Sequence, residues 1–279
     1  VWLMHIQKPA RYIGGEWNRV MKNHDEIPVK VALAFPDVYE VAMSHLGLKI
    51  IYSVLNARED ALAERVYAPW VDMEAMMREK HIPLFSLENK CPVKDFDVLG
   101  FTMPYEMCYT NILNMIDMAG IPVWAKDRTD EDPLVVAGGP CVYNAEPVAD
   151  FFDVFFIGES EEAIGEMVDI VKAWKAEGKP GGRKEAIRRL AQIDGCYAPS
   201  LYEVSYYENG VFRSIRPIDE AAQFTVKKRV IRDVDHVHID DKPILPHIEI
   251  VHARAVLAMF RGCGRGCRFC QAGMIYRPV

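Results

Sequence analysis

Five short apolar runs, each followed by a stretch with a helical or turn pattern, set the fold of most of this chain. The first is Val29-Lys-Val-Ala-Leu-Ala-Phe35. Its apolar residues scarcely alternate with polar ones, so the strand is expected to be buried on both faces and to stop at Pro36. Residues 41–57 then place Ile50, Ile51, Val54 and Leu55 on one helical face. The pattern recurs. Strands are expected at residues 65–68, 96–103, 134–137 and 153–157, and helices over residues 72–80, 105–119 and a longer stretch after Ser160. Asp72 and Ser160 stand where helix caps belong, and Glu161 and Glu162 suit a positive helix end. Strands alternating with helices imply a parallel sheet covered on both sides. The fold class is therefore α/β, with a Rossmann-like domain over residues 29–178 after an N-terminal extension, residues 1–28.

In such sheets ligands bind beyond the carboxyl ends of the strands. Four segments fall there: Pro36-Asp37-Val38-Tyr39, Met103-Pro104-Tyr105-Glu106, Gly138-Gly139-Pro140 and Gly158-Glu159-Ser160-Glu161. No G-x-G-x-x-G or G-x-x-x-x-G-K-[ST] pattern occurs, which argues against nucleotide binding by those routes. Residues 179–250 read as a small β-rich connector. Asn209-Gly210 between two apolar runs is a strong hairpin signal, and residues 224–231 are expected to add a third strand. His236, His238, His247 and His252 are scattered over this stretch, and nothing in their spacing requires a metal.

The segment 251–279 carries the most specific chemistry. Residues 253–260 read as a buried strand, and Arg261-Gly262 leads into Cys263-Gly-Arg-Gly-Cys267-Arg-Phe-Cys270. Three thiolates at this spacing suit three irons of a [4Fe-4S] cluster and leave the fourth open. Iron–sulfur clusters usually take four cysteines, so three with none following imply an outside ligand. Gly264 and Gly266 are expected to allow the tight backbone path. A structural zinc site would want a fourth Cys or His near by; His247 and His252 lie upstream, on or before the strand. A disulfide framework is disfavoured, since seven cysteines in 279 residues are too sparse for one.

The loop, with Phe269 just before its last cysteine, resembles the cluster loop of the radical S-adenosylmethionine (radical SAM) enzymes. In that family the open iron is chelated by the amino and carboxylate groups of SAM, and reduction cleaves SAM to methionine and a 5′-deoxyadenosyl radical. The resemblance implies that Cys263, Cys267 and Cys270 hold the cluster and that Phe269 packs beside it, near the SAM adenine. It also implies a reductant such as flavodoxin or ferredoxin and an unknown substrate. Residues 251–279 would then be the first strand and cluster loop of a truncated radical SAM β/α barrel. A whole barrel needs about 200 more residues, so the chain is expected to be an N-terminal fragment, inactive alone.

Residues 29 to about 175, with Ala-Gly138-Gly139-Pro and Gly158-Glu-x-Glu, resemble the cobalamin-binding domains that precede many radical SAM barrels; Gly138 and Gly139 become candidate cofactor contacts. Domains that place histidine on cobalt use Asp-x-His-x-x-Gly, whereas here Asp37 and His45 stand too far apart. His45 is expected on a helix face, packed or solvated. Phe35-Pro-Asp-Val-Tyr-Glu40 and Ser44-His-Leu-Gly-Leu48, taken with Cys270-Gln-Ala-Gly273, resemble a group of uncharacterised bacterial radical SAM proteins with a cobalamin-domain-like N-terminal half.

Two alternatives stay open. Methylthiotransferases carry three further cysteines for a second cluster; Cys91, Cys108 and Cys141 are the candidates here, but Cys91 precedes its strand while the other two follow theirs. A non-catalytic iron–sulfur or metal-binding module is the other. The net charge of -7 gives no basic nucleic-acid surface; Lys227-Lys228-Arg229 is the densest basic cluster and reads as a solvated strand edge. No apolar run reaches the about 20 residues of a membrane span. Free cysteines and a reduced cluster point to the cytoplasm.

Overall fold

A computed structural model of the chain describes residues 2–233, 235, 237, 241–256 and 258–279. Strands β1 (Val29–Phe35), β2 (Ala61–Tyr67), β3 (Val98–Thr102), β4 (Leu134–Gly138) and β5 (Val154–Phe156) run parallel in one sheet. A sixth strand, β6 (Cys196–Tyr197), adds antiparallel to β5. The order is β2-β1-β3-β4-β5-β6. Three of the four crossovers between successive parallel strands carry α-helices, as the sequence pattern implied: α1 (Tyr39–Ala42) and α2 (Leu46–Asn56), α3 (Val71–Glu79), and α4 (Tyr109–Met118). The fourth, between β4 and β5, has only 3-10 turns, Pro140–Asn144 and Glu146–Phe151. Helices α5 (Ala163–Ala176) and α6 (Gly182–Leu190) lie between β5 and β6.

Strand side chains point alternately to opposite faces, and this divides the core in two. Val29, Val31, Leu33 and Phe35 meet α2, α5 and α6 on one face; Ala32 and Ala34 meet α3 and α4 on the other. In β4, Leu134 and Val136 join the first core and Val135 and Ala137 the second. With apolar cover on both sides, neither face can be polar, which is why the strands read as continuous hydrophobic runs.

Strand β2 is at a sheet edge, yet all its residues are buried. Segments on either side in the sequence cover it. The Arg65 guanidinium sits between Glu16 at 2.8 Å and Glu88 at 2.6 Å. The Leu87 N–H donates to the Arg65 carbonyl, and Lys22 Nζ donates to the Ala61 carbonyl. The N-terminal extension thus caps an edge that would otherwise offer itself to another chain.

Several expectations are corrected. The helix over residues 41–57 is two helices, because His45 caps the second and interrupts the first. Asp72 lies in the first turn of α3, and its carboxylate accepts from the Gln7 and Met73 N–H groups instead of capping. The helix expected from residue 105 starts with a 3-10 turn, Glu106–Cys108. Ser160 does not cap α5 with its side chain; Glu161 and Glu162 turn instead to Arg261 and Arg229.

The connector forms the expected hairpin, β7 (Tyr202–Tyr206) and β8 (Phe212–Pro217). Residues 224–231 do not extend it. Strand β6 pairs β5 to its last residue, Phe156, and just beyond it Arg229 bridges the chain: its N–H donates to the Ile157 carbonyl at 2.9 Å and its carbonyl accepts from the Glu159 N–H at 3.0 Å. Among the described residues, 253–260 are neither strand nor buried; Met259 and Phe260 are exposed. A strand needs a partner backbone, and among the described residues no strand pairs with this segment. A single helical turn, α7 (Ala272–Ile275), follows the cysteine loop. His236 and His238 lie outside the described residues. No helix among the described residues is long and apolar enough to cross a membrane.

Candidate functional site

The connection leaving β1 crosses one face of the sheet and the connection leaving β3 crosses the other. A crevice therefore opens beyond their carboxyl ends, where such sheets hold ligands. A cavity of about 530 Å³ fills it, within the ~300–1,000 Å³ typical of small-molecule sites. Leu33, Ile51, Val136, Phe156 and Ile164 give apolar walls. Gly100, Gly138 and Gly139 line it with backbone, so the expected Gly138 and Gly139 do face this space. The polar groups around it are His45, Thr102, Ser160 and the loop after β5, Gly158 to Glu161. The far wall comes from late in the chain: Lys228, Arg229, Arg261, Gly262, Cys263 and Tyr276.

His45 is the polar wall residue whose chemistry is most defined. It stands just before α2, and its Nδ1 accepts the Leu48 N–H at 3.1 Å. Its ring packs 5.0 Å from that of Phe35. Burial holds its pKa below the ordinary histidine value, so the ring is neutral near pH 7. A neutral ring that accepts at Nδ1 carries its proton on Nε2. Nε2 is then a donor and is closed to metals. Sequence reading placed His45 on a helix face; the available signal was its position three residues before Leu48 at a helix start, which suits a cap.

The cysteine loop is tied at its start, where the Cys263 N–H donates to the Tyr276 carbonyl at 3.0 Å, and it closes a turn within itself, where the Cys270 N–H donates to the Cys267 carbonyl at 3.1 Å. The close backbone approach falls at Gly262, where a Cβ would lie 2.6 Å from the Tyr276 oxygen, and not at Gly264 or Gly266, which have room. Cys263 is half-buried and lines the cavity; Cys270 is half-buried, and Cys267 is exposed. Phe269 is 94% exposed. Among the described residues no three His, Cys, Asp or Glu side chains are grouped as a metal site. The donor chemistry nevertheless fits a [4Fe-4S] cluster: three free thiols on one short loop, and thiolate is the ligand such clusters take.

The other cysteines do not form a second donor set. Burial and the neighbouring Glu106 push the Cys141 thiol up to about 11, and burial also raises Cys108. Both lie near the carboxyl ends of the strands. Cys91 is instead surrounded by Glu64, Asp95 and Lys30, at the amino ends. Its separation matches the sequence expectation and works against a methylthiotransferase-like triad.

Lys227-Lys228-Arg229 is not a solvated edge as expected. Arg229 pairs with Glu162 at 2.7 Å and Glu166 at 2.6 Å, and its side chain is only 18% exposed. Lys228 Nζ reaches the Ile275 carbonyl at 2.8 Å and the Arg277 carbonyl. Arg261 pairs with Glu161 at 2.5 Å and Glu159 at 3.4 Å. Sequence reading missed these pairs because the partners lie 47 to 102 residues apart, beyond any local periodicity.

The profile of the family described as "Radical SAM proteins, N-terminal" matches residues 47–199. An uncharacterized protein of Methanocaldococcus jannaschii, MJ0966, is 28% identical over 254 residues, covering 89% of this chain and 42% of its own length. The chain thus spans under half of that relative. Two solved structures of the radical S-adenosylmethionine methyltransferase TsrM from Kitasatospora setae are also similar. One holds tryptophan substrate and a SAM analogue (TM-score 0.36, 14% identity, 65% of this chain and 29% of that one). The other holds cobalamin and a [4Fe-4S] cluster (TM-score 0.37, 15% identity, 70% and 31%). Likenesses this slight carry no weight below.

Proposed function

This chain belongs to the radical SAM proteins, N-terminal family, the profile covering more than half its length, and on that premise we propose that it is the N-terminal part of a radical SAM enzyme. Cys263, Cys267 and Cys270 hold a [4Fe-4S] cluster with one iron left open for SAM. The bound cluster supplies the electron that cleaves SAM reductively. The carrying observation is the C-x3-C-x2-C loop whose first cysteine faces the cavity at the carboxyl ends of the sheet. The N-terminal domain contributes a pocket for part of the substrate or for a corrinoid. The apolar walls exclude water, the backbone at Gly138 and Gly139 admits close approach, and His45 offers Nε2–H to an acceptor on the ligand. With Nδ1 committed to the Leu48 N–H, His45 would offer a bound corrinoid a hydrogen bond and not a metal ligand. A small flavodoxin or ferredoxin supplies the electron.

Anaerobic reconstitution with iron and sulfide tests the reading. About four irons per chain are expected, with the intact cluster abolished by alanine at any of the three cysteines. A fully loaded, redox-active Cys267→Ala protein would refute the assignment.

A further inference from the structure

We propose that the loop after β5 and the Lys228–Arg229 segment form one platform that positions the cysteine loop against the cavity, with Arg261 as its main grip. This rests on the reading of Cys263, Cys267 and Cys270 as cluster ligands.

The platform is a single unit. Arg229 joins its halves through two backbone hydrogen bonds, at 2.9 and 3.0 Å, and through its guanidinium on Glu162 and Glu166. It grips the cysteine loop at both ends. At the entry, Arg261, two residues before Cys263, meets Glu159 and Glu161. At the exit, Lys228 holds the carbonyls of Ile275 and Arg277 beyond Cys270. Glu159 accepts in addition from the Ile231 N–H, which keeps its carboxylate in place for Arg261.

The charges here are not a loose surface scatter. The Arg261 side chain is 24% exposed and that of Glu161 is 12%. An exposed pair contributes little, but a half-buried network of several pairs holds geometry better than isolated ones. The same platform residues line the cavity. The wall that a ligand touches is therefore the part that sets where Cys263 lies. Arg261 and Glu161 touch no proposed ligand of the cluster directly, so they are positioning residues.

The test begins with the chain free of iron, so that it does not depend on the cluster. Cysteines are alkylated with iodoacetamide and their rates read by peptide mass spectrometry. In the unaltered chain Cys263 reacts more slowly than the exposed Cys267. Arg261→Gln is expected to raise the Cys263 rate about fivefold, the worth of one modest ion-pair network in a local opening, and to leave buried Cys196 unreactive. Arg261→Lys, which keeps a cation between Glu159 and Glu161, is expected to keep a rate near the slow one. In reconstituted protein, Arg261→Gln is expected to keep its iron but weaken the SAM-induced change in the EPR signal.

An unchanged Cys263 rate in Arg261→Gln overturns the proposal, as does a rise in Arg261→Lys as large as that in Arg261→Gln while Cys196 stays protected. If the unaltered chain binds no iron, the cluster reading falls, while the alkylation rates still judge the grip.

Discussion

Gly158 is where one added methyl group should cost the most. Its φ is +112°, and a Cβ there would lie 2.2 Å from the Arg229 oxygen and 2.5 Å from the Arg229 nitrogen. The backbone conformation alone costs an L-residue about 1–3 kcal/mol. Relieving the contact moves Arg229 away and breaks its two bonds to Ile157 and Glu159, at about 1 kcal/mol each. Gly158→Ala should therefore lose about 3–5 kcal/mol in urea unfolding. Gly138→Ala is the matched control. Gly138 is in strand conformation at the same end of the sheet, and its Cβ would meet only Ser160 Oγ at 3.5 Å. Its stability should hold or rise by up to about 1 kcal/mol, while the methyl group intrudes on the cavity. Equal stability of Gly158→Ala and the unaltered chain would refute the reasoning. So would a Gly138→Ala loss as large as that at Gly158.

Arg65→Met should destabilise by about 3–5 kcal/mol, because it leaves Glu16 and Glu88 buried without their cation; chemical denaturation checks it against the exposed control Arg216→Met. Burial alone would raise the Glu40 carboxyl, but hydrogen bonds from Arg11 and Lys8 outweigh it and hold it at about 2, against an ordinary 4.5. A depressed carboxyl stabilises fully above its unfolded value, so this contribution is present above pH 4.5 and fades as pH falls toward 2. Glu40→Gln should flatten the acid limb of the stability curve in that window and leave the neutral limb's slope unchanged. His45→Ala should cost about 1 kcal/mol as a lost helix cap, and ¹⁵N NMR of the unaltered ring should find the proton on Nε2.

Most of the sheet was legible because its evidence in the sequence is local; β2 runs over Ala61–Tyr67, whereas a strand was expected only at residues 65–68, because Glu64 and Arg65 break its apolar run. Val29 to Phe35 and Leu134 to Val136 are apolar on both faces, and each is followed by residues of helical or turn type. The same locality explains what was missed. Strand β6 has two residues, too few to show a period. His45 resembled any helical residue until its ring was seen on the Leu48 N–H. Arg229 looked like part of an exposed basic cluster, because its partners Glu162 and Glu166 are more than 60 residues away in sequence. The cysteine spacing was the strongest functional signal, yet only Cys263 faces the cavity, and Phe269 is exposed. A metal-ligand motif fixes which atoms can bind, whereas the path of the intervening backbone depends on everything packed around it. Here that includes the unforeseen contact of Gly262 with the Tyr276 oxygen.

The most direct measurement is EPR on the anaerobically reconstituted, dithionite-reduced protein, with and without SAM. A [4Fe-4S]⁺ signal that changes when SAM is added is the expected result, since three cysteines leave one iron open to it. A cluster signal indifferent to SAM, or bound zinc in place of a cluster, would contradict the reading of Cys263, Cys267 and Cys270.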